Sequence, residues 1–216
     1  MITLYEFEPV STAEKIAYAL RLCDEENLSH LPLLRHGRLT GMIRCEDLES
    51  YSPDDSLESA FYSMENFHVL AGDDWTKLFS GFLAHETNIL PVLDEHGQFK
   101  GVYLLEDLLQ DLSEIKAFNI PGKLIRIQKN AADFSFGEVG RIVESSGGKM
   151  LGILLIEETP AEIIADLKIE SGDVNEILQS LRRYDYVILS EHEEDTHLRD
   201  LREHADYLSK YLKMGE

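Results

Sequence analysis

The chain has 216 residues, with 20 Lys plus Arg against 41 Asp plus Glu and a formal net charge of -21. That balance repels phosphate backbones and anionic lipid, so it excludes nucleic-acid binding as the main role and disfavours attachment to a membrane surface. Hydrophobic residues make up 44% of the chain, enough for cores in two domains, yet no apolar run reaches the length of a membrane span. The start, Met1 to Glu8, lacks the basic residues and apolar stretch of a secretion signal. Cys23 and Cys45 fall in unrelated contexts, so the expectation is a cytoplasmic protein with two reduced thiols.

The first stretch reads strand, helix, strand, turn, strand, helix, and its first helix is amphipathic. Ser11 and Glu14 form a capping box, and Ile16, Ala19, Leu20 and Cys23 share one face. A hairpin follows, its apolar runs around Leu33-Leu34 and Leu39 to Ile43 separated by a turn at His36-Gly37, with Pro32 at the start of the first strand. Glu46-Asp47-Leu48 then opens a short acidic helix, where carboxylates suit the positive end of the dipole.

About sixty residues on, the same order returns. Asp73 or Asp74 caps a helix with Trp75, Leu78, Phe79 and Phe82 on its buried stripe. Pro91 opens a hairpin that turns at His96-Gly97, with one residue more than the first turn. The shared register is Pro32/Pro91, His36-Gly37/His96-Gly97, Gly41/Gly101 and Glu46-Asp47-Leu48/Glu106-Asp107-Leu108. Both histidines read as turn residues that tolerate left-handed geometry. Two copies followed by unrelated sequence predict a paired module rather than a solenoid.

This pattern of apolar pair and Pro, Gly-containing hairpin, later Gly, then Asp resembles the CBS domain, named for cystathionine β-synthase, which occurs in tandem. Residues 1–60 and 61–115 would be the two repeats. The resemblance implies a pseudo-twofold module with two clefts that commonly sense adenosine-containing ligands such as AMP, ADP, ATP or S-adenosylmethionine. It also implies a ribose contact from Asp47 and from Asp107, with Pro32 and Pro91 marking the motif in each cleft. The family's hydroxyl position, three residues before the Asp, holds Arg44 in one repeat and Leu104 in the other. Arg44 could pair with a phosphate, whereas Leu104 offers no hydrogen bond, so the cleft with Asp47 is the better candidate. Both aspartates could equally be helix-start carboxylates.

Ile120-Pro121-Gly122 marks a boundary. Beyond it the patterning predicts a strand at Leu124 to Ile127 and a helix with Phe136, Val139, Ile142 and Val143 on one face, ended by Gly147-Gly148. Strands at Met150 to Ile156 and Ala161 to Ile169, a helix framed by Asp173 and Glu176, and a strand at Val187 to Leu189 complete β-α-β-β-α-β. The predicted fold class is therefore α+β, with a ferredoxin-like domain over residues 123–192. That segment resembles an ACT domain, a regulatory module that binds amino acids. The resemblance points to the loop holding Asp133, Ser135, Phe136 and Gly137, although Phe136 replaces the family's Pro.

The tail, residues 196–216, carries Leu198, Leu201, Ala205, Leu208 and Leu212 at helical spacing, a stripe for its own domain or for a second subunit. No P-loop, dinucleotide fingerprint, nucleophile elbow or HExxH motif is present, and the spacing of His192 and His197 does not suit one metal ion. No catalytic residue, metal or fixed cofactor is expected. Two roles follow: a regulatory sensor, homodimeric and acting on an unidentified protein in response to a small effector, or a ligand-free dimeric scaffold with degenerate clefts.

Overall fold

The structure, a computed structural model, describes residues 2–8, 10–193, 195, 199–205 and 207. The chain divides into two compact units, Met1–Glu114 and Ile115–Glu216. Among the described residues, no helix is long and apolar enough to cross a membrane.

In the first unit the duplicated sequence builds duplicated structure. One repeat supplies β1 (Val10–Ser11), α1 (Ile16–Glu25), β2 (His30–Arg35), β3 (Arg38–Arg44) and α2 (Cys45–Leu48), followed by a 3-10 turn (Leu57–Ser63), and β4 (Met64–Glu65) opens the other repeat. The other supplies β5 (Val69–Leu70), α3 (Trp75–Ala84), β6 (Ile89–Leu93), β7 (Phe99–Leu104) and α4 (Leu105–Ser113). The sheets run β1-β2-β3-β4 and β5-β6-β7. In each, a parallel pair (β1 with β2, β5 with β6) lies beside an antiparallel hairpin. Ile16, Leu31, Leu33, Ile43 and Leu48 form one core, and Leu78, Ile89, Leu90, Val92 and Leu108 the other.

Local chemistry explains where the elements begin and turn. His36 (φ 53) and Gly37 (φ 75) supply the two left-handed residues of a two-residue hairpin turn. The longer second turn differs from expectation: Gly97 (φ 72) carries the left-handed geometry, not His96, and Asp94 Oδ1 accepts from the backbone of His96 and Gln98. Pro32 and Pro91 are the third residues of their strands and buried. Their missing N–H groups are tolerated because β1 and β5 reach only the later residues, Leu33-Leu34 and Val92-Leu93. The capping box is not realised. Ser11 lies in β1 and bonds Ala13 N, while Lys15 precedes α1 without a side-chain cap. Asp74 does cap α3, accepting from Thr76 N and Lys77 N. The α3 stripe is shorter than the periodicity predicts, since Trp75 in its first turn is 52% exposed while Leu78 and Phe82 are buried.

The reduced thiols are a further correction. Cys23 on the buried face of α1 and Cys45 at the first position of α2 form a disulfide, with Cα atoms 6.2 Å apart. Spacing in sequence carried no sign of it, because the helix packing that joins them is tertiary. The premise for a reducing compartment falls with it.

The second unit begins with α5 (Lys116–Asn119) and continues β8 (Lys123–Asn130), α6 (Phe136–Ser145), β9 (Lys149–Glu158), β10 (Glu162–Ser171), α7 (Val174–Arg183) and β11 (Val187–Ile188). The sheet order is β11-β8-β10-β9 with every neighbour antiparallel, a ferredoxin-like arrangement. Ile125, Ile127, Ala165 and Leu167 from the strands meet Val139, Val143, Ile177 and Leu181 from the helices, so both helices cover one face. Ser135 and Asp173 cap α6 and α7 through Glu138 N and Glu176 N. Phe136, expected on the buried face, is 52% exposed because it sits in the first turn of α6. Of the tail, residues 199–205 are helical and Leu201 is 53% exposed, while Leu198, Leu208 and Leu212 lie outside the described residues.

Candidate ligand clefts

The repeats meet at a polar seam. Ser29 and Asn88 occupy equivalent places just before β2 and β6 and bond one another: Ser29 N and Oγ donate to Asn88 Oδ1, both at 2.9 Å, and Asn88 N donates to Ser29 Oγ at 2.9 Å. Thr87 Oγ1 lies 3.2 Å from Ser29 Oγ. On either side the same backbone bond closes the start of the acidic helix, Cys45 N to Ser29 O at 2.9 Å and Leu105 N to Asn88 O at 3.0 Å. This seam places Arg44 and Asp47 on one side and Leu104 and Asp107 on the other.

Each side is then crossed by a segment belonging to the other repeat. Glu65, in β4 just before the second repeat's own β5, pairs with Met42 of β3. Sixty positions earlier, Tyr5 pairs with Val102 of β7, exchanging N–H···O bonds of 3.0 Å in both directions. The glycines common to both repeats admit these crossings. A Cβ on Gly101, whose φ is +142, would lie 2.1 Å from Tyr5 O, and one on Gly41 would lie 3.1 Å from Glu65 O.

In the first cleft the crossing brings a carboxylate to Arg44. Glu65 Oε1 lies 3.6 Å from Arg44 Nη2 and 3.7 Å from His30 Nε2, Glu65 Oε2 lies 3.9 Å from His85 Nδ1, and Glu86 Oε2 lies 3.8 Å from Arg44 Nη1. His85 stacks on Phe67 at 4.0 Å, and His30 meets the same ring edge-on at 5.7 Å. His30 is fully buried, and its Nε2 has no hydrogen-bond partner among the described residues. Burial pushes its pKa down from the ordinary value, Arg44 and His85 push the same way, and Glu65 opposes them. Arg44 is thus flanked by carboxylates at ion-pair distance, and Asp47 stays exposed.

In the second cleft the crossing brings a phenol to Asp107. Tyr5 Oη donates to Asp107 Oδ1 at 3.2 Å, while Asp107 Oδ2 is buried and has no hydrogen-bond partner among the described residues. Loss of solvent raises the Tyr5 pKa, and the adjacent Asp107 carboxylate adds to the rise. Beside the seam lies a cavity of about 280 Å3 whose wall includes Leu28, Leu104 and Leu105, with Asn88 and with Glu26 and Glu106 among its polar groups. Pro32 and Pro91 sit within their strands opposite Met42 and Val102. Sequence reasoning missed Tyr5, Glu65, Glu86, His30 and His85. The available signal was that the sixty-residue offset extends beyond the hairpins to Phe7 and Phe67.

In the second unit, Asp133, Ser135, Phe136 and Gly137 stand together at the start of α6. Asp133 is exposed, Ser135 Oγ is used by the cap, and Phe136 packs edge-on to Phe134 at 5.2 Å. A Cβ on Gly137 would touch only Ser135 Oγ, at 3.8 Å, so packing does not require glycine there. Behind the loop, Glu138 accepts from Lys129 at 2.7 Å and from Tyr186 at 2.9 Å. These bonds hold the Glu138 carboxyl below its ordinary range, while burial and that carboxylate push the Tyr186 phenol up to about 12.

No family model and no curated protein matches the chain. Solved structures do. A CBS domain pair/ACT domain protein from Thermotoga maritima is 28% identical, with a TM-score of 0.45, over 52% of this chain and 93% of that one. The CBS domains of a transcriptional regulator from Streptococcus pneumoniae are 18% identical, with a TM-score of 0.44, over 50% of this chain and 93% of theirs. The cytosolic domain of the Mg2+ channel MgtE, solved in complex with ATP, is 19% identical, with a TM-score of 0.41, over 49% of this chain and 44% of its own. Over about half its length, then, the chain is similar to a CBS domain pair.

Proposed function

We propose that the protein is a non-catalytic regulatory sensor whose first unit binds a small ligand, an adenine nucleotide or S-adenosylmethionine, in a cleft between its repeats. The observation that carries this reading is Asp107: an aspartate placed by the duplicated motif, with one buried oxygen lacking a donor among the described residues, one position after Glu106, which lines a cavity of about 280 Å3. Arg44 and Asp47 form the equivalent site, where a phosphate would have to replace the carboxylates of Glu65 and Glu86. Binding regulates only if the ligand prefers one arrangement of the protein over another. In this reading the second unit is an ACT-like module that responds to amino acids through Asp133 to Gly137, and the protein acts as a homodimer upon another protein.

Thermal unfolding with AMP, ADP, ATP, S-adenosylmethionine and the twenty amino acids, each at about 1 mM, tests this. A ligand at 100 times its Kd stabilises by about 2.7 kcal/mol, a shift of roughly 5–10 °C for a chain of this size. The shift should vanish with Asp107→Ala or Asp47→Ala, according to the cleft used. No shift with any compound would favour the second reading, a ligand-free dimeric scaffold. That reading is supported by the carboxylates around Arg44 and by Leu104, which gives a nucleotide no polar contact.

A further inference from the structure

The polar seam between the repeats decides which nitrogen of His30 carries its proton. Asn88 Nδ2 donates to Asn27 O at 2.7 Å, so Asn88 Oδ1 is the accepting end of that amide. Ser29 Oγ has a single hydrogen and donates it to Asn88 Oδ1, while Thr87 Oγ1 donates its own to Ile89 O at 2.9 Å. Asn88 N donates to Ser29 Oγ, which leaves that oxygen one lone pair for His30 Nδ1 at 3.0 Å. The ring proton of neutral His30 is therefore on Nδ1, and the buried Nε2, with no hydrogen-bond partner among the described residues, is a bare lone pair. It faces Glu65 Oε1 at 3.7 Å. Two acceptors confronted across a buried gap repel each other, and a proton between them turns that repulsion into a charge-assisted hydrogen bond.

The charged and titratable groups that face His30 are Glu65 from β4, Arg44 from the end of β3 and His85 just after α3, with Glu86 facing Arg44. Glu65 stands 3.6 Å from Arg44, 3.7 Å from His30 and 3.9 Å from His85, within ion-pair reach of all three and at hydrogen-bond distance from none. We propose that the first cleft is a proton-binding site: one proton taken up between His30 Nε2 and Glu65 closes their gap to a hydrogen bond and draws the carboxylate off Arg44, leaving that cation to Glu86 and solvent. Before uptake one cation faces two carboxylates, and after it two cations face the same two, so the excess negative charge of the cleft is cancelled. Burial keeps His30 neutral at ordinary pH and sets the uptake in the mildly acidic range. Glu65 and His85 are about one-third exposed, so solvent protons reach the cluster from their side. The second cleft lacks the device, with Ile89, Leu104 and Tyr5 at the positions of His30, Arg44 and Glu65. The effector is the proton itself, which goes beyond the sensor reading and requires no nucleotide.

The test is NMR of the full chain with isotope-labelled histidine, glutamate and arginine, titrated from about pH 7.5 to about pH 5. At the upper end His30 should show a protonated Nδ1 and a bare Nε2. In acid it should gain its second proton at a midpoint below the ordinary 6.5 of histidine, and the Glu65 carboxyl and Arg44 guanidinium should shift with that same midpoint. Glu65→Gln, which removes the charge and keeps the size, should require about tenfold more acid to titrate His30 and leave Arg44 nearly unmoved. A proton on Nε2 at the upper pH overturns the proposal. So does a His30 that stays neutral until the chain unfolds, a titration that belongs to His85 alone, or an Arg44 signal that ignores the titration of His30. All four are read on the wild-type chain, so they decide the matter even where Glu65→Gln does not fold. Adding AMP or S-adenosylmethionine at both ends of the titration tests the sensor reading separately, and their failure to bind leaves the proton site standing.

Discussion

The two repeats of the first unit share a plan and differ in what closes them. In the first, a disulfide ties α1 to α2, and the crossing residue is an acid among Arg44, His30 and His85. In the second, the positions equivalent to the two cysteines are Phe82, in the apolar core, and Leu105, packed against it, and the crossing residue is a phenol on Asp107. The lesson is that a duplicated backbone fixes where a cleft lies, while a few side chains, sixty positions apart, decide whether it presents charge or apolar surface.

The largest expected effect separates the two crossings. Gly101→Ala should destabilise by roughly 4 kcal/mol, because the new methyl meets Tyr5 O in a backbone conformation that L residues avoid. Gly41→Ala, with a 3.1 Å approach and ordinary φ, should cost about 1 kcal/mol. Urea midpoints of the two variants check this, and equal losses would break the asymmetry. Next comes the disulfide. Replacing Cys23 and Cys45 by Ala removes a cross-link between residues separated by 22 in sequence, worth about 3 kcal/mol. The double variant Cys23→Phe with Cys45→Leu, which installs the side chains of the second repeat, should recover part of that loss.

The seam between the repeats gives a smaller effect. Ser29→Ala strands Asn88 N and removes one of the two bonds that Asn88 Oδ1 accepts, and should cost about 2 kcal/mol, read as a common loss by probes placed in either repeat. The smallest effect is one of pH and belongs to the first repeat alone. His30 has a folded pKa below its unfolded value near 6.5, so its contribution is complete above that pH. As the pH falls further the unfolded chain takes up the proton first, and stability declines. His30→Ile, the residue found at position 89, should flatten that dependence between pH 7.5 and pH 5. An unchanged slope would assign it to other groups.

How far the sequence disclosed this molecule follows from the range of the interactions involved. The hairpins, the acidic helix starts and the βαββαβ order were legible because Pro, Gly and apolar periodicity act locally. Trp75 and Phe136 were misplaced because a helical stripe does not reveal that a first-turn residue projects past the sheet beneath. The disulfide and the Tyr5 and Glu65 crossings were not legible, since each joins residues that only the tertiary fold brings together. Tyr5 and Asp107 are 102 residues apart. Of the proposed site, the aspartates were visible in advance, and their partners were not.

The reciprocal crossing also bears on how such a chain could arise. A molecule with one repeat would leave the glycine-bearing strand of its hairpin without a neighbour and its own leading segment without a strand to join. Two such molecules would complete each other, each lending the segment the other lacks, in the manner of exchanged arms in a twofold dimer. Joining them end to end replaces an encounter between separate chains by one within a single chain at high effective concentration. Once joined, the two arms need no longer match, and Tyr5 and Glu65 were free to diverge into a phenol and an acid.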